Sequence, residues 1–104
     1  MRFYNKANDI ESLMKNHDIV LNLSDSESFS NVSLEALYFG TPLIATDVGG
    51  TKEMFLHEKS GILVQRFDYK SVAKWLKKLS EDSLYRIEMG KQSRRYVREE
   101  FGYE

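Results

Sequence analysis

Three short apolar runs, separated by polar and helix-prone sequence, constrain this chain more than anything else in it. The first, residues 18–23 (DIVLNL), is nearly continuous rather than alternating. A strand that reads this way is buried on both faces, as in a parallel sheet covered by helices on either side. The second, residues 43–46 (LIAT), follows the punctuation Gly40-Thr41-Pro42, and the third, residues 62–64 (ILV), is opened by Gly61. Arg2-Phe3-Tyr4 can add a short strand ahead of them.

The segments between carry helix signals. Asn8 with Glu11 forms a capping box, and Ile10, Leu13 and Met14 line a short helix ending near Asn16. A helix is expected over 31–39, with Gly40 as its left-handed terminator and Pro42 just beyond. Residues 52–56 fit one or two helical turns. Asp68 is placed to cap a helix running to about residue 80, with Val72, Leu76 and Leu79 on one face and Trp75 beside them. Asp82 is placed to cap a last helix carrying Leu84, Ile87, Tyr96 and Val97, with Gly90 weakening its middle by roughly 1 kcal/mol relative to alanine. Strands alternating with helices define an α/β fold, a partial Rossmann-like unit with a short parallel sheet of about three to four strands and right-handed crossovers.

Bulk properties exclude several classes. The chain has 104 residues, enough for one domain, with 41% hydrophobic and 30% charged residues. A net charge of -1 argues against a general nucleic-acid binder. There is no cysteine, which excludes disulfides and thiolate metal sites. No apolar run approaches membrane-spanning length, and the first residues, MRFYNKAND, lack the apolar core of a signal peptide. A soluble, cytoplasmic protein is the expectation.

The stretch SDSESFSNVSLEA, residues 24–36, leaves the carboxyl end of the first core strand and enters a helix. Ligands of open parallel sheets bind at such positions. The first N–H groups of a helix have no intrahelical partners and its dipole end is positive, so the junction favours an anion, most often a phosphate. Ser28 and Ser30 allow close backbone approach and supply capping hydroxyls. If Ser30 is the cap, Glu35 lies ~7 Å along the axis, beyond the phosphate and within reach of a ribose diol. Glu27 sits on the other side of the phosphate position, where a second polyol fits. The pattern suits a nucleoside diphosphate sugar, although two glutamates near a helix start also occur as ordinary surface residues.

Residues 27–36 (ESFSNVSLEA), 39–53 (FGTPLIATDVGGTKE) and 61–64 (GILV) resemble the carboxyl-terminal, donor-binding domain of GT-B retaining glycosyltransferases of family 4, the group 1 glycosyl transferases. The tail, from Asp82 through Met89-Gly90 to residues 100–104 (EFGYE), is similar to the closing helix of that family. The resemblance implies that Glu27 contacts the donor sugar as the catalytic residue. It implies that Glu35 holds the ribose hydroxyls and that backbone around Ser28, Phe29, Ser30 and Asn31 holds the pyrophosphate. Serine stands at 28 and 30 where many members have glycine. The implied reaction transfers a sugar to an acceptor hydroxyl with retention. The implied substrate is a nucleoside diphosphate sugar, with no cofactor and no metal.

The same resemblance implies missing parts: an amino-terminal acceptor domain, and two earlier strands with a glycine-rich turn and a basic pair for the leaving diphosphate. The chain is therefore expected to be the later half of a donor domain, 1–104, inactive by itself. In the usual strand order the segment at Arg2-Phe3-Tyr4 and the strand at 18–23 are separated by the two missing strands. Either these two now pair directly, or the bare edge recruits a second copy. Other readings are a non-catalytic nucleotide- or phosphate-binding module, one subunit of a split enzyme, and a GT-B-fold epimerase of nucleotide sugars.

Remaining features read more plainly. His17 and His57 lack ligand spacing for zinc. Gly49-Gly50 is either a small anion-binding nest or an ordinary turn. Glu53 either belongs to the family pattern or favours the start of a short helix. Trp75, Tyr85 and Tyr96 are packing residues. Lys91, Arg94, Arg95 and Arg98 form a solvated basic face; contact with a membrane surface, by the parent protein, or with an acidic acceptor is the alternative.

Overall fold

The computed structural model describes residues 3–4, 19–23, 31–48 and 51–102. Four parallel strands form one sheet in the order β1 (Phe3–Tyr4), β2 (Ile19–Asn22), β3 (Leu43–Thr46), β4 (Ile62–Val64). Among the described residues three α-helices accompany them: α1 (Asn31–Phe39), α2 (Tyr69–Glu81) and α3 (Ser83–Phe101). A single 3-10 turn, Thr51–Glu53, stands where helical turns were expected at 52–56. The helix expected between Asn8 and Asn16, and His17 after it, lie outside the described residues.

Of the two outcomes expected for the edge of β2, direct pairing is what the chain adopts. Phe3 lies opposite Ile19 and Tyr4 opposite Val20, in parallel. The apolar runs do bury both faces. Val20, Leu43 and Ala45 face one layer, together with Leu34, Ala36 and Leu37 of α1. Ile19, Ile44, Ile62 and Val64 face the other, together with Val72 and Leu79 of α2. Successive side chains of a strand point to opposite faces, so each run divides itself between the two layers.

The turn from α1 into β3 is a Schellman motif. Gly40 takes φ of +76°. Its N–H donates to the Leu37 carbonyl at 3.2 Å, and the Thr41 N–H donates to the Ala36 carbonyl at 2.9 Å. Two otherwise orphan carbonyls are thereby satisfied, and glycine is the residue that takes this φ without Cβ strain. Val20 then donates to the Pro42 carbonyl at 2.8 Å, which seats β3 against β2.

Helix α3 forms behind Asp82 as expected, and its apolar residues divide between solvent and core. Leu84 and Ile87 do not pack: they are 79% and 55% exposed. Met89, Gly90, Ser93 and Val97 are buried instead. Met89 joins the α2 layer and Val97 the α1 layer, so α3 passes from one side of the sheet to the other. It does so at the amino end of the strands, where the Gly40 backbone lies against Gly90. A Cβ on Gly90 would collide with the Gly40 carbonyl oxygen. The glycine that weakens an isolated helix is thus what lets two backbones meet, and Ser93 adds a buried hydroxyl donating to the Leu37 carbonyl at 3.1 Å. Trp75 and Tyr85 are packing residues, as expected, with ring centroids 6.5 Å apart.

Candidate functional site

The carboxyl ends of β2 and β3 meet the first turns of α1, and three side chains tie them. Asn22, the last residue of β2, donates its Nδ2 to Ser33 Oγ at 2.6 Å. Thr46, the last residue of β3, directs its hydroxyl to the Asn22 carbonyl at 3.4 Å. Ser33 and Thr46 are buried. A polar residue in an apolar strand and a serine in an apolar helix are therefore the pins that hold the helix start over the strand ends. The polar Asn22 within DIVLNL was the available sequence signal for this junction.

Asn31 is the first residue of α1, and α1 has no acidic residue in its first turn. Its positive end carries no carboxylate from that turn. Glu35 lies four residues further, about 6 Å along the axis, and is half-buried on the helix flank. Glu27, Ser28, Phe29, Ser30, Gly49 and Gly50, also expected at this site, lie outside the described residues. The chain flanking the glycine pair is drawn together: the Val48 carbonyl accepts from the Thr51 amide at 3.1 Å and from the Thr51 hydroxyl at 2.7 Å.

Across the crest, on the α2 side, an open cavity of about 330 Å³ lies among Leu23, Thr46, Gln65, Arg66, Phe67 and Asp68. That volume is within the range of small-molecule sites, roughly 300–1,000 Å³. Neither Asn31 nor Glu35 lines it. Two of its lining residues are tied to Asp47: the Asp47 amide donates to the Val64 carbonyl at 2.7 Å, and Gln65 donates to the Asp47 carboxylate at 3.3 Å. Phe67 holds φ of +64°, a left-handed conformation costly for a bulky residue, with Arg66 5.2 Å above its ring. Residues 65–67 carry no signal of this cavity in the sequence, because a left-handed phenylalanine has no sequence signature.

Other titratable groups belong to the scaffold. Asp68 caps α2 by accepting from the Ser71 hydroxyl at 2.7 Å and its amide at 3.2 Å, and these bonds lower its pKa. Asp82 caps α3 by accepting from the Tyr85 amide at 3.0 Å, and this bond, with that from Lys78, lowers its pKa. His57 accepts from the Leu63 amide through Nδ1 at 3.0 Å, so its ring serves the entry to β4. The Glu53 carbonyl accepts from the Tyr96 hydroxyl at 3.3 Å. Among the described residues no group of three or more His, Asp or Glu side chains is arranged to hold a metal ion, and none of their helices is long and apolar enough to cross a membrane.

Comparison with known proteins gives this geometry its context. The family model for glycosyl transferases group 1 matches residues 1–96. The chain is 36% identical over 99 residues to N-acetyl-alpha-D-glucosaminyl L-malate synthase of Bacillus anthracis, covering 95% of this chain and 26% of that protein. It is 36% identical over 98 residues to D-inositol 3-phosphate glycosyltransferase of Paenarthrobacter aurescens, covering 94% of this chain and 24% of that one. Among solved structures, Anabaena HepE in complex with UDP superposes with a TM-score of 0.86 at 26% identity, over 91% of this chain and 26% of that chain. The carboxyl-terminal domain of the group 1 protein LpcC of Francisella tularensis gives 0.82 at 28% identity, over 97% and 52%. The chain thus spans about a quarter of the length of these curated relatives. The helix start over the strand ends, the glutamate one turn into it and the match along nearly all of the sequence together place this chain in the group 1 family of glycosyl transferases.

Proposed function

We propose that the chain is the later half of a donor-binding domain, 1–104, and that its parent enzyme transfers a sugar from a nucleoside diphosphate sugar to an acceptor hydroxyl with retention. The observation that carries this reading is the start of α1, pinned to the ends of β2 and β3, without a carboxylate in its first turn and with Glu35 one turn on. The amides at Asn31 and the preceding Phe29-Ser30 would hold the diphosphate, and Glu35 would accept from the ribose hydroxyls. Glu27 would meet the donor sugar. Binding of UDP and UDP-glucose by HepE supports a uridine nucleotide as the first donor to try.

Catalysis in such a site is chiefly positioning and charge stabilisation. The leaving diphosphate gains negative charge as the glycosidic bond breaks, and a preorganised helix end stabilises that charge more than it does the ground state. The chain contributes the helix end and the carboxylates. An acceptor domain and a basic pair would come from the rest of the parent protein. The isolated chain is therefore expected to bind nucleotide and not to turn over. A cytoplasmic setting and a reaction without metal belong to the same proposal.

Saturation-transfer NMR with UDP and UDP-glucose tests it. Enhancement of ribose and anomeric protons is the expected result. No transfer to either ligand from a folded chain would overturn the reading, and measurable sugar transfer by the chain alone would overturn the expectation that it is inactive by itself.

A further inference from the structure

We infer that the outer face of α3 docks the protein on an anionic lipid surface. The inference starts from Leu84 and Ile87, which stand in solvent although they are apolar. On a helix of 3.6 residues per turn, Leu84, Ile87, Lys91, Arg95 and Arg98 fall within about 80° of one another, with Arg94 at the edge of that stripe. All six are exposed. The buried residues Met89, Gly90, Ser93 and Val97 are on the side turned to the sheet.

Charge along the stripe is one-sided. The whole chain has a net charge of -1, yet the stripe contains four cations and no carboxylate. Glu88 and Glu99 lie along one flank, and Arg95 is paired with Glu99 at 3.3 Å. Lys91, Arg94 and Arg98 form no ion pair with another described residue. A cluster of four exposed Lys and Arg side chains on one helix face is attracted to the negative potential of an anionic leaflet, and the two exposed apolar side chains at the head of the same face can enter its headgroup layer. Arg95 borders a hollow of about 190 Å³ with Lys59 and Tyr96 and has Glu99 as a fixed partner; the other three cations have no such partner among the described residues, which suits headgroups that can move to meet each of them. Because α3 crosses the amino ends of the strands, docking there leaves the carboxyl-end crest free.

Vesicle co-sedimentation of the chain tests this, with phosphatidylcholine vesicles against vesicles that also contain phosphatidylglycerol. The chain should sediment with the anionic vesicles only, and added salt should release it. Each cation removed should lower the partition coefficient roughly fivefold, so Lys91→Ala with Arg98→Ala should lower it about 25-fold. Leu84→Ser with Ile87→Ser should weaken binding while leaving the circular dichroism spectrum unchanged, since neither side chain packs. Equal binding to neutral and anionic vesicles, no binding to either, or retained binding after Lys91→Glu with Arg98→Glu would each overturn the inference. So would binding to heparin without binding to vesicles. UDP titration of the same variants should match the unsubstituted chain, so that failure of the donor reading and failure of this one are told apart.

Discussion

Helices α2 and α3 begin differently from α1. Asp68 and Asp82 stand immediately before α2 and α3, and each places a carboxylate on the amides of its own first turn. The residue before α1 is Ser30, and the first turn of α1 is also without an acid. Two helices therefore neutralise their positive ends from within the chain. The third, at the crest where the strands end, has no acid in its first turn and a serine rather than an aspartate before it. What differs is charge rather than capping as such, because a serine can satisfy an amide without cancelling the dipole. Two helix ends are closed by an aspartate of the chain, and the end proposed to hold the diphosphate lacks one.

The most direct way to break the contrast is to make α1 begin as α2 and α3 do. Ser30→Asp should cost more than a hundredfold in UDP affinity by calorimetry, since like charges brought together cost several kcal/mol. The melting temperature should hold or rise. Retained affinity would mean that the diphosphate does not sit there. At the opposite end of the sheet, Gly90→Ala should destabilise by about 2–3 kcal/mol in urea unfolding, because the added methyl meets a backbone carbonyl that has nowhere to go. Helix propensity alone says the reverse, a gain of roughly 1 kcal/mol. Glu35→Gln should lower UDP affinity roughly tenfold, in line with loss of one charge-assisted hydrogen bond, and should leave binding of inorganic pyrophosphate unchanged.

The smallest effect sharpens the same comparison through pH. Asp68 and Asp82 have lowered folded-state pKa values. Their contribution to stability is thus present above the ordinary value of 3.8 and lost as pH falls through the lowered folded values. Asp68→Asn with Asp82→Asn should flatten the acid-side fall of the melting temperature. An unchanged acid limb would show that neither cap is formed in solution.

Much of this was legible in the sequence. The core strands, the bounds of α1, the glycine at its end and both aspartate caps follow from periodicity and capping chemistry, which are local. The group 1 resemblance was legible too, because residues 27–36, 39–53 and 61–64 carry it, and so was the place of Glu35 on α1. Non-local features were not. Leu84 and Ile87 fit an apolar helix face, and only the passage of α3 from one layer to the other turns them outward. Gly90 looked like a weak point because its partner, Gly40, is fifty residues away. Ser33 and Thr46 became part of the site only when the sheet brought two strand ends beneath one helix.

The belt formed by α3 has a consequence for how the molecule is made. Val97 completes one apolar layer and Met89 the other, so both stay open until the segment Ser83–Phe101 has emerged from the ribosome. During synthesis the strands would wait, paired but half-covered, for a clasp that arrives late. Folding of this unit is then one event that waits for Ser83–Phe101 rather than a sequence of steps along the strands.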